Sequence, residues 1–367
     1  MCVVTFDWGE NDSKEKFKRF AETKGIAWAV VEVTDYCNFN CKWCFANSAF
    51  NKKPKHMPMN RFKQLVKRLA SAGLRQITIS GGEPTLYPHL KEAIEFAKKA
   101  GLVVHMNTNG FLLDEKLAKE LYEAGLSQVQ INIDSIQPQN HDGIRGRKGS
   151  FQKALRALES ARKVGITCVS QTVVTRKNQD EVTDIFALAR SLGLQRCRVW
   201  DMTPSEGVAR ENDNLLPTGY IELLERLELF CKANGATHVE SGDPLFPLNR
   251  NIELPYTGGY CVASRGLYTM ISVKGDVFFC ATLRQPLYNI FSDRFDDLNR
   301  FHRQQLRLFL SDFENPYACQ KCGYSPRCNR GCYSRIRYSK NKFDYWCRMP
   351  QFAGAEETTG GLIPATA

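Results

Sequence analysis

The chain has 367 residues, 43% of them hydrophobic and 24% charged, with a formal net charge of +11. This is ordinary globular composition, enough for one large domain or two at about 100–200 residues each, and the positive charge favours acidic partners. No apolar run approaches a membrane span and Met1 to Lys24 has no signal-like apolar core, which argues against membrane and export and for a cytoplasmic protein. In that reducing setting, fourteen cysteines point to metal or redox chemistry rather than disulfides.

The periodicity predicts strands over Ala27–Thr34, Gln76–Ser80, Val103–Asn107, Gln128–Asp134, Thr167–Val174 and Arg196–Met202. Amphipathic helices are expected between them, over Phe62–Ala72, His89–Ala100, Asp114–Ala124, Phe151–Val164 and Asp180–Leu192. Gly73, Gly101, Gly125, Gly165 and Gly193 each follow a helix where a left-handed cap is expected. Strands alternating with helices imply parallel pairing through right-handed crossovers. Six such units fall short of a closed eight-stranded barrel, so the expected fold is α/β, an open partial (β/α)6 barrel. Its chemistry belongs at the C-terminal strand ends.

Cys37, Cys41 and Cys44 follow the first strand at that end. Three thiolates in a Cys-x3-Cys-x2-Cys spacing suit soft metals, and a four-iron cluster held by three ligands keeps one iron open. A structural zinc site is the bland alternative, but it needs a fourth ligand, and the nearest, His56, lies in a Lys- and Pro-rich stretch. After the second strand, Ser80-Gly81-Gly82-Glu83-Pro84 forms a turn whose paired glycines let backbone approach a ligand closely. The fourth strand ends in Asn132-Ile133-Asp134-Ser135, and His141-Asp142-Gly143-Ile144-Arg145-Gly146 follows.

The triplet, with Trp43 before its last cysteine, resembles the signature of the radical S-adenosylmethionine (radical SAM) superfamily. In that family a [4Fe–4S] cluster binds the methionine moiety of SAM and cleaves the S–C5′ bond by one electron. The 5′-deoxyadenosyl radical so released abstracts a substrate hydrogen. The Gly-Gly-Glu-Pro turn resembles the family's methionine-amino motif. The resemblance therefore implies Gly81, Gly82 and Glu83 as cofactor contacts, with Trp43 at the adenine edge. It further implies Asn132 and Arg145 at the ribose and the methionine carboxylate, and an arginine fork suits a carboxylate. Asn107, Thr108 and Asn109 after strand three are expected to act behind these contacts.

A compositional shift near residue 241 opens a smaller cysteine-rich C-terminal domain, expected over 241–350, with hairpin-like runs at Tyr268–Val273 and Val277–Cys280. Residues 1–25 then form an N-terminal extension, 26–240 the barrel, and 351–367 a disordered tail. Cys261, Cys280, Cys319, Cys322, Cys328, Cys332 and Cys347 fall within 87 positions and demand metal; paired zinc knuckles are the bland alternative. The pattern resembles the SPASM extension of radical SAM enzymes, which carries two auxiliary [4Fe–4S] clusters. The resemblance implies that Cys319, Cys322, Cys328 and Cys347 hold one cluster and Cys261, Cys280 and Cys332 the other. Fully ligated members have a further cysteine shortly before the Cys261 position, but this chain has none between Cys231 and Cys261. Sulfatase-maturing members place an aspartate base after the Cys280 position; here Ala281 stands there.

Cys168, Cys197 and His105 lie on predicted strands and read as interior residues. Asp201, at the end of strand six, is the candidate for substrate contact or proton transfer, with a helix cap as the alternative. Arg294–Arg348 holds twelve Lys/Arg against five Asp/Glu. That face suits an acidic flavodoxin or ferredoxin as electron donor; nucleic acid is the rival partner. The expected reaction is C–H abstraction on a peptide or protein side chain, as in maturases. The short segment before strand one leaves no room for a fused leader-peptide-binding domain and weakens that reading. The first alternative is a small molecule, such as a porphyrin side chain in alternative haem biosynthesis. The distant one is a zinc-stabilised nucleic-acid-binding protein.

Overall fold

The computed structural model describes residues 25–46, 48, 53–194, 196–203, 205, 217–234, 238–241, 261–313, 317–320 and 330–339. The expected N-terminal extension (all but residue 25), the tail, Cys322, Cys328 and Cys347 lie outside them. The barrel strands are β1 (Trp28–Thr34), β2 (Gln76–Gly81), β3 (Val103–Asn107), β4 (Leu126–Asn132), β5 (Thr167–Val174), β6 (Arg196–Asp201) and β7 (His238–Ser241). The connecting helices are α1 (Met59–Ser71), α2 (Leu90–Lys99), α3 (Glu115–Ala124), α4 (Pro138–Arg145), α5 (Ser150–Lys163), α6 (Val182–Ser191) and α7 (Pro217–Asn234). Beyond them come β8 (Tyr268–Ile271), β9 (Asp276–Phe278), β10 (Pro286–Asn289), α8 (Leu298–Ser311), α9 (Tyr317–Gln320) and α10 (Tyr333–Arg337).

The strands form one sheet in the order β10-β9-β8-β1-β2-β3-β4-β5-β6-β7. From β8 to β7 each neighbouring pair is parallel. The six expected barrel strands are present, and β7 adds a seventh beside β6. A finding the sequence did not suggest is that β8 pairs with β1, Trp28 opposite Tyr268. The C-terminal hairpin thus extends the barrel's own sheet.

Period-two alternation sorts the side chains. Ala29, Val31, Val33, Ile77, Ile79, Val104, Met106, Val129 and Ile131 lie in one core with the apolar faces of the helices. The opposite face is unusually polar: Glu32, Thr78, Ser80, His105, Gln128, Gln130, Gln171 and Arg198 are all buried. All five predicted capping glycines have positive φ. At Gly125 (φ 107°) the amide closes α3 onto the Leu121 and Tyr122 carbonyls, while Asp114 caps its start by accepting from the Leu117 N–H at 2.8 Å. A second core joins Trp28 and Val30 of β1 to Tyr268, Met270, Phe279, Phe309 and Tyr333. There Phe279 stacks on Phe309 with centroids 5.0 Å apart.

Candidate active site

The three barrel cysteines sit in the loop that leaves β1, and neighbouring turns hold that loop by backbone contact. The Gly82 N–H donates to the Thr34 carbonyl (2.8 Å), the Glu83 N–H to the Tyr36 carbonyl (2.8 Å) and the Lys42 N–H to the Ile144 carbonyl (3.1 Å). Two glycines permit this approach. A Cβ on Gly82 would lie 2.2 Å from the Tyr36 oxygen, and one on Gly146 (φ +63°) 2.1 Å from the Asn40 oxygen.

A cavity of about 120 Å³ opens beside this loop. Its wall includes Cys37, Cys41, Cys44, Trp43, Gly81, Gly82, Asn132 and Arg145, so the structure gathers these sequence-predicted residues around one space. Glu83 is the exception. Its carboxylate is 1% exposed, is absent from the wall, and accepts from the Thr85 and Asn109 N–H groups and the Thr85 and Thr108 hydroxyls at 2.6–3.0 Å. Burial raises its pKa against those four donors. Glu83 therefore locks the β2 and β3 turns together, and the backbone of Gly81 and Gly82 is what faces the cavity.

Asn107, Thr108 and Asn109 all line the cavity, nearer than the sequence reading placed them. The Asn109 amide also donates to Asn38 Oδ1 in the cysteine loop at 2.8 Å. Arg145 reaches Asp134 at 3.5 Å and lies over the Phe39 ring, 5.8 Å from its centroid. Burial works against its charge, but Cys41, Asp134, Cys37 and Cys44 more than offset that, so its pKa is raised. Burial likewise pushes Asp134 up, while Arg145, the Val173 N–H and the Asn132 amide pull it back. Asp134 was not singled out in the sequence; its place two residues beyond Asn132 was the available signal.

Burial pushes the Cys37 thiol up to about 12 and raises Cys41, with Arg145 opposing the rise at Cys41. Buried thiols of this kind stay protonated until a metal replaces the proton. Three free thiols, a glycine backbone and an arginine around one cavity suit a [4Fe–4S] cluster with SAM beside it. Cys37, Cys41 and Cys44 would hold the cluster. Among the described residues no three His, Cys, Asp or Glu side chains meet as ligands of a single ion. A cubane instead gives each thiolate its own iron.

In the C-terminal region Cys261 and Cys280 are electrostatic neighbours. Burial lifts Cys261 to about 11, while the Ser264 and Ala263 N–H groups and the Ser264 hydroxyl favour its thiolate. Cys280 Sγ accepts from the Leu283 N–H at 3.4 Å. Cys332 stands at the start of α10 without a side-chain capping bond, and Tyr333 of that helix packs in the same core as Cys280. Cys319 lies on α9, half-buried. Ala281 is part of the cavity wall, so the position next to Cys280 faces the cavity without an acid–base group.

Asp201 sits at the end of β6 but is not in the wall. Its carboxylate pairs at 3.2 Å with Arg335 of α10, both nearly fully buried. It joins barrel to C-terminal segment, and neither the substrate role nor the helix cap describes that contact. A second such junction went unseen in the sequence. Arg284 donates twice to Glu32 of β1, at 2.8 and 3.0 Å. A glutamate inside the apolar run Val31-Glu32-Val33 was the signal for it.

Residues 31–189 match the model of the Radical SAM superfamily. An AdoMet-dependent heme synthase of Methanosarcina barkeri is 28% identical over 84% of this chain and 91% of its own length. Mycofactocin maturase MftC of Mycolicibacterium smegmatis is 29% identical over 82% and 76%. Streptococcus suis SuiB bound to S-adenosylmethionine superposes with a TM-score of 0.73 at 18% identity, over 91% of this chain and 80% of that one. No helix among the described residues is long and apolar enough to cross a membrane. With three cysteines after β1 and the glycine turn after β2 facing one cavity, the chain is an enzyme with a radical SAM domain over residues 31–189, and it shares the fold of Streptococcus suis SuiB.

Proposed function

We propose that this enzyme generates a 5′-deoxyadenosyl radical to abstract hydrogen from a peptide or protein side chain, in the manner of a maturase. The observation that carries the radical step is the single cavity shared by Cys37, Cys41, Cys44, Gly81, Gly82, Asn132 and Arg145. The bound cluster would supply the electron that cleaves SAM. Arg145 would meet the methionine carboxylate, the Gly81–Gly82 backbone its amino group, and Asn132 and Trp43 would border the nucleoside. The likeness to a mycofactocin maturase supports a peptide substrate. Because Ala281 replaces an acid on the cavity wall, the bond made is not one that needs a base next to Cys280.

Two auxiliary clusters complete the reading, one on Cys319, Cys322, Cys328 and Cys347 and one on Cys261, Cys280 and Cys332, within a C-terminal unit over 241–350. Reconstituted protein should then hold about twelve irons per chain. The first electron comes from an acidic flavodoxin or ferredoxin, and a cytoplasmic setting keeps the thiols reduced. A second reading, a porphyrin side chain as substrate, is favoured by the likeness to an AdoMet-dependent heme synthase.

One comparison decides between them. The reconstituted enzyme, SAM and reductant are supplied with a precursor peptide encoded beside the gene, or with an iron porphyrin bearing propionates. We expect the peptide to raise 5′-deoxyadenosine release at least tenfold and to change mass. Stimulation and product from the porphyrin alone would reverse the assignment.

A further inference from the structure

Reduction from outside requires a place where a donor protein meets the barrel, and the sequence pointed to the basic C-terminal stretch. The structure offers a better face, directly over the cysteine loop. From Gly143 to Leu158 the chain carries five Lys/Arg (Arg145, Arg147, Lys148, Lys153 and Arg156) and no Asp or Glu. Arg147, Lys148, Lys153 and Arg156 are exposed, as is Lys42 of the cysteine loop, whose N–H is bonded to Ile144.

Two of these cations are held in position. The Arg147 guanidinium stands 4.8 Å and the Lys153 ammonium 5.7 Å from the centroid of the Phe111 ring. Phe111 meets Phe39 edge to face at 5.6 Å, and the Phe39 N–H donates to Cys37 Sγ at 3.4 Å. Leu112, 42% exposed, adds an apolar spot beside Phe111. Of the acids nearest in sequence, Glu159 is exposed and the other three are occupied. Asp142 accepts from the Gly149 and Phe151 N–H groups and the Ser150 hydroxyl, Asp114 caps α3, and Glu115 pairs with Lys163 at 3.3 Å.

We propose that this cationic face, with Arg147 and Lys153 seated on Phe111, is the docking surface for an acidic one-electron carrier protein. A small apolar centre ringed by one sign of charge suits a brief, salt-sensitive encounter rather than a permanent interface. The Phe111–Phe39 contact leads from that surface to the Cys37 sulfur. The carrier is a flavodoxin: on docking, one electron leaves its flavin hydroquinone, which becomes the semiquinone, and enters the cluster that Cys37, Cys41 and Cys44 would hold. The carrier is oxidised by that one electron, and the hydroquinone passes its proton to solvent. The inference rests on the radical SAM reading of this site.

The test compares wild type with R147E/K153E, using a purified acidic flavodoxin and, separately, dithionite. With dithionite, 5′-deoxyadenosine release should agree within twofold. With reduced flavodoxin the variant should be at least tenfold slower at low salt, and its affinity for oxidised flavodoxin, measured by interferometry, at least tenfold weaker. Added salt should slow the wild type and leave the variant nearly unchanged. R147Q/K153Q should fall between the two. Retained flavodoxin affinity and rate in R147E/K153E would overturn the proposal, as would a loss found instead in R300E/R307E on α8. Should wild type release no 5′-deoxyadenosine even with dithionite, the radical reading fails, and the affinity measurement still decides the docking face.

Discussion

The two cysteine regions of this chain are held in place by different physics. Around Cys37, Cys41 and Cys44 the support is local backbone: the turn after β2 donates N–H groups to Thr34 and Tyr36, the loop's Lys42 N–H donates to the Ile144 carbonyl of α4, and Gly82 and Gly146 let the chains touch. Around Cys261, Cys280 and Cys332 the described support is a shared aromatic core and two buried ion pairs, Glu32–Arg284 and Asp201–Arg335, that reach back to the barrel. Close backbone packing fixes a loop to fractions of an ångström and tolerates no added atom. Buried ion pairs instead join segments distant in sequence, and each partner is costly to leave alone. The first arrangement suits a site where chemistry happens, the second a part that must be kept in register with it.

The sharpest break of this comparison removes the thiols. Replacing Cys37, Cys41 and Cys44 by Ala should abolish 5′-deoxyadenosine formation from SAM and dithionite, while the absorbance near 400 nm falls by about one third if three four-iron clusters are present. Retained SAM cleavage in the triple variant would remove the barrel cluster from the mechanism. Gly146→Ala should come next in size. The new methyl meets the Asn40 oxygen at 2.1 Å in a backbone conformation that favours glycine, so the cysteine loop must move. We expect about a hundredfold loss in SAM cleavage, on the order of 3 kcal/mol, with the C-terminal clusters retained. Unchanged turnover would show that the loop yields more easily than its packing suggests.

How much of this was readable in the sequence follows from the same contrast. The barrel strands were legible because strands buried on both faces read as short β-branched runs, and helix ends were marked by glycines that need positive φ. The cysteine loop and its glycine turn were legible because they are local in sequence. What failed to show was contact at long range. The β8–β1 pairing joins Trp28 to Tyr268, and the Asp201–Arg335 pair spans 134 positions. The four residues of β7, His-Val-Glu-Ser, are too few and too polar to announce a strand. Glu83 misled for another reason. A motif names the residues of a turn, not the direction each side chain takes, and this one turns onto Thr85, Thr108 and Asn109.

The ion pairs offer the next test. Asp201→Ala leaves the buried Arg335 charge without this counter-charge, which should cost about 3 kcal/mol of stability. It should also perturb the resonance spectrum of a reduced C-terminal cluster. The double variant D201L/R335M should recover most of the stability, the spectrum and the turnover. A substrate-handling Asp201 predicts otherwise: stability would recover but turnover would not. Glu32→Gln should behave as the milder version, because Arg284 is 19% exposed and keeps water nearby.

The smallest expected effect lies inside the barrel, at a polar-face residue outside the cavity wall. His105 is 3% exposed, and burial, with Arg198 and Arg196 adding repulsion, lowers its pKa to about 3. An unfolded chain binds a proton at this residue below about pH 6.5, and the folded chain does not until near 3. Stability from keeping His105 neutral is therefore complete above pH 6.5 and is lost as the pH falls through that window. The loss from this one group is about 1.4 kcal/mol per pH unit. His105→Gln stays neutral throughout and can still bond Gln128, which lies 3.4 Å from the imidazole Nδ1. Urea unfolding of both proteins at pH 6.5 and 5.5 should show the variant losing about 1 kcal/mol less than wild type, because the unfolded imidazole is already half protonated at pH 6.5. Taking the difference cancels the opposite contributions of Glu83 and Asp134, whose buried carboxyls are common to both. Equal losses would mean that His105 takes up its proton in the folded barrel, which would place water on the polar face beside Gln128 and Arg198.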